Sequence, residues 1–407
     1  MRRAAALFSI ALRAIWAHKL RSALTILGNI VAVASIISVV SLIQGVNAEV
    51  GDAIVSQFGS DTFAVDRTPL ELTEEDVEAN RNNPRISLDD ADAIRRFSSS
   101  VGAVMAQASR SGEVRYRERV LENVQTRGVT RDYIEFPTFT AEHGRLISQT
   151  EIDRNRGVAL LGYDTADRLF DQLDPLDRVI KIQGVHFRVV GVSEPTPASF
   201  GVSQDEYVVI PMGQFRKLFG ARPSLGLLVR PTTPEQLAPA MDEATVALRI
   251  ERRLRGREDN NFGLFTADTV LDIYDQATTG IFAVLVGIVA LSLVVGGIVI
   301  MNIMLMVVSE RTREIGLRKA LGARRRDVLW QILAESVTLS VMGGLLGTVT
   351  GSAVAVGLGS LTPIPAVVHP WSIVIGIVMT AGVGLFFGLY PASRAAALDP
   401  IQALGRL

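Results

Sequence analysis

The run IFAVLVGIVALSLVVGGIVIMNIMLMVV, residues 281–308, decides the class of this protein, and it contains no charged side chain. A helix rises about 1.5 Å per residue, so a run of this length is long enough to cross the roughly 30 Å of hydrocarbon in a bilayer. The run therefore predicts a membrane-spanning helix at 280–308.

Three more apolar stretches lie on either side of this run and predict spans at 21–46, 328–361 and 371–390. The first contains Ala32-Val33-Ala34, which resembles a signal-peptide cleavage site. Because the apolar run continues well beyond that tripeptide, we expect an uncleaved helix. The predicted fold class is a membrane α-helical protein with four transmembrane helices, which accounts for the hydrophobic share of 48%.

The distribution of basic residues predicts the orientation of the chain. Lys and Arg are abundant before the first span and between the second and third spans, whereas the loop 362–370 has neither. Basic loops stay in the cytoplasm. We therefore expect a multi-pass protein of the bacterial inner (cytoplasmic) membrane with both termini cytoplasmic, a cytoplasmic tail at 391–407, and residues 47–279 outside.

The first twenty residues suggest a peripheral helix. Five apolar side chains share one helical face, which predicts an interfacial amphipathic helix at 1–20: Leu7, Phe8, Ala11, Leu12 and Ile15. A disordered basic leader is the alternative interpretation.

Residues 47–279 predict a mixed α/β domain. Strand-like patterns at 114–130, 157–161 and 179–192, with a turn at Gln183-Gly184, are interspersed with helical patterns at 164–173 and 234–254. The chain has no cysteine, and its four histidines lack metal-ligand spacing. No signature of a hydrolase or metalloenzyme occurs, so we expect a non-catalytic module that binds a partner or transmits force.

The connection 309–327 begins SERTREIGLRKALGA and mixes acidic with basic residues. Glu314 precedes Arg318 by four residues, the favourable order for a helical ion pair. Gly322 predicts the end of a short helix, and the next helix is expected to begin at Arg324 to Asp327. Two interpretations remain open from the charges alone. The segment is either a docking helix for a cytoplasmic partner, with Ile315, Leu317 and Leu321 available to pack, or a solvated loop that sets topology.

This connection resembles the coupling segment of the MacB, LolC/LolE and FtsX superfamily of ABC permeases. Similar matches span the chain: Leu20-Arg21-Ser22-Ala23-Leu24-Thr25, Gln44-Gly45, His143-Gly144-Arg145, Asp174-Pro175-Leu176, Val189-Val190-Gly191-Val192, Gly388-Leu389-Tyr390-Pro391-Ala392 and Asp399-Pro400-Ile401. One departure is Asp177, where the family often has glycine; aspartate also tolerates turn conformations. The resemblance implies that 47–279 is a periplasmic core domain of the MacB type.

The resemblance also implies the partners. The chain has no GxxxxGK[ST] motif, so ATP and Mg are expected on a separate cytoplasmic ABC ATPase subunit, and this chain is expected to bind no cofactor or metal. The other expected partners are a second permease copy or paralogue in a dimer, a periplasmic adaptor and the lipid bilayer, with no nucleic acid. The predicted ATPase-docking residues are Glu310, Arg311, Arg313, Glu314, Ile315, Gly316 and Arg318.

Small and polar residues within the spans predict close helix packing. The glycines have small-xxx-small spacing, which serves packing either within one chain or between two: Gly343, Gly347, Gly351, Gly384 and Gly388. Asn29 and Asn302 are expected to hydrogen-bond across an interface, again within the chain or between protomers. Glu335 is expected near the headgroup boundary.

The function that the resemblance implies is mechanotransmission. Closure of the ATPase dimer moves the coupling segment and the spans, and a substrate is exported or released on the periplasmic side. Two alternatives remain: an FtsX-like regulatory scaffold that transmits ATPase motion to a periplasmic enzyme, and a membrane-anchored sensor without an ATPase.

Overall fold

The computed structural model describes residues 19–70, 78, 80–171 and 173–404, so most of the predicted segment 1–20 lies outside the described residues. The chain divides into two compact units. One is Glu49–Ala277, called the α/β domain below, and the other, called the helical unit, consists of the residues before and after it.

The helices, in chain order, are α1 (Lys19–Phe58), α2 (Leu88–Phe97), α3 (Gln149–Asp153), α4 (Tyr163–Phe170), α5 (Met212–Phe219), α6 (Leu237–Glu251), α7 (Ala267–Glu310), α8 (Thr312–Ala320), α9 (Arg325–Leu361), α10 (Pro370–Ala397) and α11 (Pro400–Leu404). Within the described residues, short 3-10 helices lie at Arg131–Glu135 and Pro234–Gln236. The strands are β1 (Phe63–Asp66), β2 (Val101–Tyr116), β3 (Arg119–Val129), β4 (Ala141–Gly144), β5 (Val158–Leu161), β6 (Val179–Ile182), β7 (Val185–Ser193), β8 (Tyr207–Pro211), β9 (Gly226–Pro231) and β10 (Gly263–Thr266).

Among the described residues, four helices are long and apolar enough to cross a membrane: α1, α7, α9 and α10. Together with the α/β domain they confirm the predicted fold class. α9 begins at Arg325, in agreement with the helix start predicted at Arg324 to Asp327, and the Asp327 carboxylate caps it by accepting a hydrogen bond from the Arg324 backbone N–H. α10 continues to Ala397, past the predicted end at 390, with the buried Pro391 inside it.

The strands of the α/β domain form one mixed sheet in the order β10-β1-β9-β2-β3-β8-β5-β7-β4, with β6 paired to β2 and β7. The β3–β8 and β5–β7 pairs are parallel, and the other pairs are antiparallel. The turn predicted at Gln183-Gly184 is confirmed, since both residues have positive φ angles, 48° and 81°. Asp177 has a φ of 59°, a conformation that glycine adopts more easily and that aspartate tolerates.

Both faces of the sheet are covered, which is why its central strands are apolar on both sides. Neighbouring residues of β2 point to opposite faces: Val104 joins one buried cluster and Met105 joins another. The first cluster receives Ile94 from α2 and Leu248 from α6. The second is closed by Tyr133, whose hydroxyl donates to the Ile147 carbonyl at 3.1 Å.

The helical unit is held together by close contacts of α9 with α1 and α10. A β-carbon at Gly343 would lie 2.8 Å from Asn29 Cβ, and one at Gly351 would lie 2.8 Å from Ala34 Cα, so α1 approaches the α9 backbone directly. Gly384 and Gly388 of α10 lie against Ser340 and Ser336 of α9, respectively. These contacts account for the small-xxx-small spacing within one chain, so the spacing gives no argument for a dimer interface.

Candidate functional site

α8 is a short helix between two long ones, and its ends are set by local sequence. Glu314 and Arg318 form the predicted ion pair, with Oε1 and Nη2 2.6 Å apart. Gly322 has a φ of 99°, which ends the helix in a conformation that disfavours side chains. The position of α8 is therefore fixed by three successive breaks: Arg311 after α7, Gly322 after α8, and the cap at Arg324.

An ion pair links the start of α8 to α9. Arg311 Nη1 lies 3.3 Å from Glu335 Oε1, and the two side chains are 28% and 13% exposed. Arg318 Nη1 also donates to Gln331 Oε1 at 2.7 Å, one turn earlier on α9. Some of the charged side chains at α8 are thus paired with other residues of the same chain. Glu335, expected near the headgroups, acts here as the partner of Arg311.

The inner face of α8 is buried in the helical unit. Ile315 packs in an apolar cluster with Met304 of α7 and Ile332 of α9. Gly316 lies against α11, where a β-carbon would come 2.6 Å from Ala403 Cβ. This differs from the sequence prediction, which placed Ile315 and Gly316 on the docking surface. Both residues are buried, because α9 and α11 cover the side of the helix on which they lie.

Lys319 joins α8 to the end of α10. Its Nζ donates to the Ala396 carbonyl at 2.9 Å and also to the Leu398 carbonyl. The last carbonyls of a helix lack partners and carry partial negative charge, so a lysine there is stabilising. Sequence reasoning counted Lys319 only as a topology signal. The two partners are far apart in the chain, so the sequence does not show that they meet. The sequence shows only that the end of α10 favours a nearby cation, as the C-terminus of any helix does.

The side of α8 that faces away from the bundle mixes charge with exposed apolar side chains. Arg313 is exposed, Leu317 and Leu321 are 53% and 81% exposed, and Ile401 of the adjacent α11 is 82% exposed. We call these four residues the outer face. Glu310, Glu314 and Arg318 are also exposed beside it. Exposed leucine and isoleucine rimmed by arginine are typical of a surface that another protein covers.

The α/β domain contains a cleft of about 560 Å³ at which three of the sequence motifs meet. Its lining residues come from the motifs that begin at His143, Asp174 and Val189, from α4, and from residues that adjoin them in the chain: Glu142, His143, Gly144, Tyr163, Ala166, Asp167, Asp171, Leu173, Asp174, Pro175, Leu176 and Val192. Gly144 has a φ of 78°, and a β-carbon there would lie 2.7 Å from Leu176 Cδ2. The motifs are therefore explained by close packing. No group of acidic residues and histidines suited to a metal occurs among the described residues.

Arg145, beside this cleft, should make the α/β domain sensitive to acid. It binds Glu151 through two nitrogens at 2.7 and 2.9 Å, and Ser148 donates to the same carboxylate. The hydrogen bond from Arg145 is the main cause that lowers the pKa of Glu151 from 4.5 to about 2. A depressed folded-state pKa contributes stability above the unfolded pKa, and this stability is lost as the pH falls toward 2.

We expect the melting temperature of the detergent-purified protein to fall more between pH 5 and 2.5 than that of Glu151→Gln. The two proteins should converge below pH 2, where the carboxylate is protonated in both the folded and the unfolded state. Because the Arg145 side chain is 54% exposed, solvent screening keeps the difference modest. Parallel pH profiles would show that this pair contributes nothing to folding.

The two asparagines of the helical unit have different environments. Asn29 is fully buried, and its Nδ2 donates to the Ser340 carbonyl at 2.8 Å. Asn302 is exposed on α7, and no hydrogen bond joins its side chain to another residue in the described part of the chain. The predicted hydrogen bond within the chain is therefore made by Asn29 and not by Asn302.

Two family models match the chain, the MacB-like periplasmic core domain over residues 22–247 and the FtsX-like permease C-terminal over residues 286–400. The first alone covers more than half of the chain. A Bacillus subtilis protein named an uncharacterized ABC transporter permease YknZ is 30% identical over 400 residues, 97% of this chain and 97% of that protein. This chain belongs to the MacB-like family of ABC transporter permeases.

Another member of the MacB-like family is the macrolide export ATP-binding/permease protein MacB of Bdellovibrio bacteriovorus. It is 33% identical over 394 residues, 95% of this chain but 60% of that protein. The chain thus spans about 60% of the length of the MacB relatives it matches. The solved periplasmic region of MacB from Actinobacillus actinomycetemcomitans aligns with a TM-score of 0.44 at 16% identity, over 54% of this chain and 95% of that one.

In this MacB-like permease, the seven predicted docking residues all lie between the end of α7 and the last turn of α8, but their side chains differ in exposure. Glu310, Arg313, Glu314 and Arg318 are exposed, whereas Ile315 and Gly316 are buried. Arg311 is intermediate and pairs with Glu335. The prediction did not include Ile401 of the outer face or the contact of Lys319 with the end of α10, because both depend on where α11 and the end of α10 lie.

Proposed function

We propose that this MacB-like chain is the permease subunit of an ABC transporter and performs no catalysis itself. A cytoplasmic ABC ATPase binds ATP and Mg, and this chain converts the motion of that ATPase into export or release of a substrate. The family match supports the permease role, and the words ATP-binding/permease in the names of the MacB relatives support an ATPase that works with it.

The proposed setting is the bacterial inner membrane, with both termini and α8 in the cytoplasm and the α/β domain in the periplasm. The basic residues around α8 support this orientation through the positive-inside rule. Three of them follow α8 directly, Arg324, Arg325 and Arg326, and all three are exposed. A second copy of the permease, a periplasmic adaptor and the bilayer complete the proposed assembly.

The bonding of α8 is the observation that carries the proposal of mechanotransmission. Arg311 ties α8 to α9, Lys319 ties it to the end of α10, and Ile315 packs it against α7 and α9. A force applied to α8 therefore reaches three spanning helices at once through charged and apolar contacts. α7 contains residues of both units, so the proposed path continues toward the α/β domain without a break in the helix.

The outer face is the proposed docking surface for the ATPase. Leu317 and Leu321 would enter an apolar cleft, and Arg313 would meet acidic groups at its rim. The names of the MacB relatives support an amphipathic compound such as a macrolide as the proposed cargo.

The test of docking is co-purification from membranes in which the chain and its ATPase are expressed together. Leu317→Asp is expected to reduce ATPase recovery at least tenfold, because a desolvated carboxylate would replace an apolar anchor at the centre of the contact. Ile250→Asp is the matched control, since Ile250 is 55% exposed on α6 of the α/β domain. Equal recovery with both variants would place the ATPase contact elsewhere.

A further inference from the structure

The loop that connects α9 to α10, residues 362–369, lies against α1 and is called the brace below. A β-carbon at Gly45 of α1 would lie 2.5 Å from the carbonyl carbon of Pro365, closer than real side chains approach a backbone. The Val367 N–H donates to the Ser41 carbonyl oxygen at 3.1 Å. The brace therefore contacts the backbone of α1 directly, and only a glycine at position 45 leaves room for it.

Both ends of the brace are bonded to the helices that it connects. At the end of α9, the Thr362 hydroxyl donates to the Leu358 carbonyl oxygen at 2.7 Å. At the start of α10, the Ser372 hydroxyl donates to the His369 carbonyl oxygen, also at 2.7 Å. Because each end is bonded to a helix, we expect the brace to move when the ends of α9 and α10 move.

The composition and packing of the brace restrict its bending. Pro363 and Pro365 each fix their own φ angle at about −65° and restrict the residue before them. The brace also packs on the last turn of α9, where a β-carbon at Gly359 would lie 3.5 Å from Ala366 Cβ, an ordinary van der Waals distance. The brace is therefore a stiff segment that contacts α1 and α9 at once.

The position of this contact along α1 gives it a consequence. Gly45 lies four residues before Glu49, the first residue of the α/β domain, and α1 continues into that domain without a break. About two turns earlier, the Ser38 hydroxyl donates to the Gly351 carbonyl oxygen of α9 at 3.2 Å. The brace thus contacts α1 at the point where this helix leaves the helical unit.

We propose that the brace carries the motion of α9 and α10 to α1, and that Gly45 is the positioning residue of this contact. α8 is bonded to α9 and α10, and the α/β domain is joined to the helical unit through α1 and α7. Coupling is carried by stiff segments in contact, so the brace moves α1 together with the helices that α8 moves. This inference rests on the proposed function, because it adds a second route for motion that the ATPase starts. It also gives a role to the Gln44-Gly45 motif, which the site at α8 does not explain.

The contact is tested by Gly45→Ala, with Gly28→Ala on the same helix as the matched control. Both changes raise helix propensity equally, but no atom lies within 4 Å of a β-carbon at Gly28. The measurement is hydrogen–deuterium exchange of the peptide that contains Val367, in the permease without its ATPase. Exchange in Gly45→Ala should be on the order of tenfold faster than in the wild type and in Gly28→Ala, because the hydrogen bond to Ser41 is lost. Equal exchange in all three proteins would overturn the contact.

The role of the brace in transmission is tested on the complex with the ATPase in lipid nanodiscs, without nucleotide and with ATP and vanadate. The measurement is the ATP-dependent change in deuterium uptake of residues 46–58, the part of α1 that follows the brace. This change should be roughly threefold smaller in Gly45→Ala than in Gly28→Ala. The amount of bound ATPase should stay the same, because α8 contacts the opposite ends of α9 and α10. A full ATP-dependent change in Gly45→Ala would overturn the proposal.

Val367→Pro tests the same contact without a change in α1, and it replaces Gly45→Ala if that variant fails to fold. It removes the N–H that binds Ser41, whereas Val368→Pro is the control, since the Val368 N–H makes no hydrogen bond in the described part of the chain. Only Val367→Pro should reduce the ATP-dependent change. Equal changes in these two variants, or loss of bound ATPase in both Gly45→Ala and Val367→Pro, would overturn the role in transmission. The absence of any ATP-dependent change in the wild-type complex would instead reject the proposed function, and with it this route.

Discussion

Arg311→Glu is expected to abolish stimulation of the partner ATPase and transport, whereas the swap Arg311→Glu/Glu335→Arg should recover a large part of both. The single change places two carboxylates together at the junction of α8 and α9, where Glu335 is 13% exposed. Breaking a buried ion pair costs about 3–5 kcal/mol, and the 28% exposure of Arg311 reduces the expected loss to about 1–3 kcal/mol. α8 then moves without moving α9.

The swap distinguishes an internal contact from an external one. If Arg311 bound the ATPase directly, as the sequence alone predicted, then restoring the pair with opposite polarity would not restore function. The measurement is the ATP hydrolysis rate of the purified complex in lipid nanodiscs, compared with the amount of ATPase bound. If the swap variant were as inactive as Arg311→Glu, Arg311 would be inferred to contact the ATPase directly.

The features that the sequence predicts well are the local ones. The apolar runs predict the four long helices, and Glu314 with Arg318 predicts the short helix between two of them, since four residues make one turn. Gly322 predicts the end of that helix for the same reason. In the α/β domain, Gln183-Gly184 predicts its hairpin because the turn needs two residues with positive φ.

The features that the sequence does not predict depend on residues far apart in the chain. The order of the sheet pairs β3 with β8 and β5 with β7, and no local pattern encodes those neighbours. Which side of α8 is buried depends on the position of α11. The local sequence around Ile315 and Gly316 would be the same whether these residues faced inward or outward, so it does not predict their burial. The pairing of Arg311 with Glu335 is also not predicted by the sequence. Arg311 lies in a segment whose charges all suit a docking helix, and nothing local indicates a partner on α9.

The contacts of α8 with its own chain also bear on its proposed role as a transmitter. A helix that only docked a partner would need few internal bonds, whereas α8 has polar contacts with α9 and α10 and apolar contacts with α7, α9 and α11. Such bonding holds the helix in one position relative to the spans. The proposed role as a transmitter requires this rigidity, because a loosely held helix would absorb the motion of the ATPase.

Gly347→Leu is expected to prevent assembly of the helical unit. A β-carbon at Gly347 would lie 2.7 Å from Val33 Cβ and 3.0 Å from the Ile30 carbonyl oxygen, so α1 would have to move away from α9 as a whole. Separation of the two helices would also break the hydrogen bond from Asn29 to Ser340, whose loss leaves a buried amide unpaired. Overpacking of this kind costs about 1–3 kcal/mol, and the lost hydrogen bond adds to it.

Gly357→Leu provides the control on the same helix, since no atom lies within 4 Å of a β-carbon at Gly357. The measurement is the folded fraction of each variant, taken from size-exclusion chromatography in detergent and from resistance to proteolysis in membranes. Gly357→Leu should match the wild type, because the space around its β-carbon is open. Gly347→Leu should be largely aggregated or degraded. Equal behaviour of the two variants would mean that α1 does not pack on α9 through this glycine, and the position of Asn29 beside Ser340 would lose its main support.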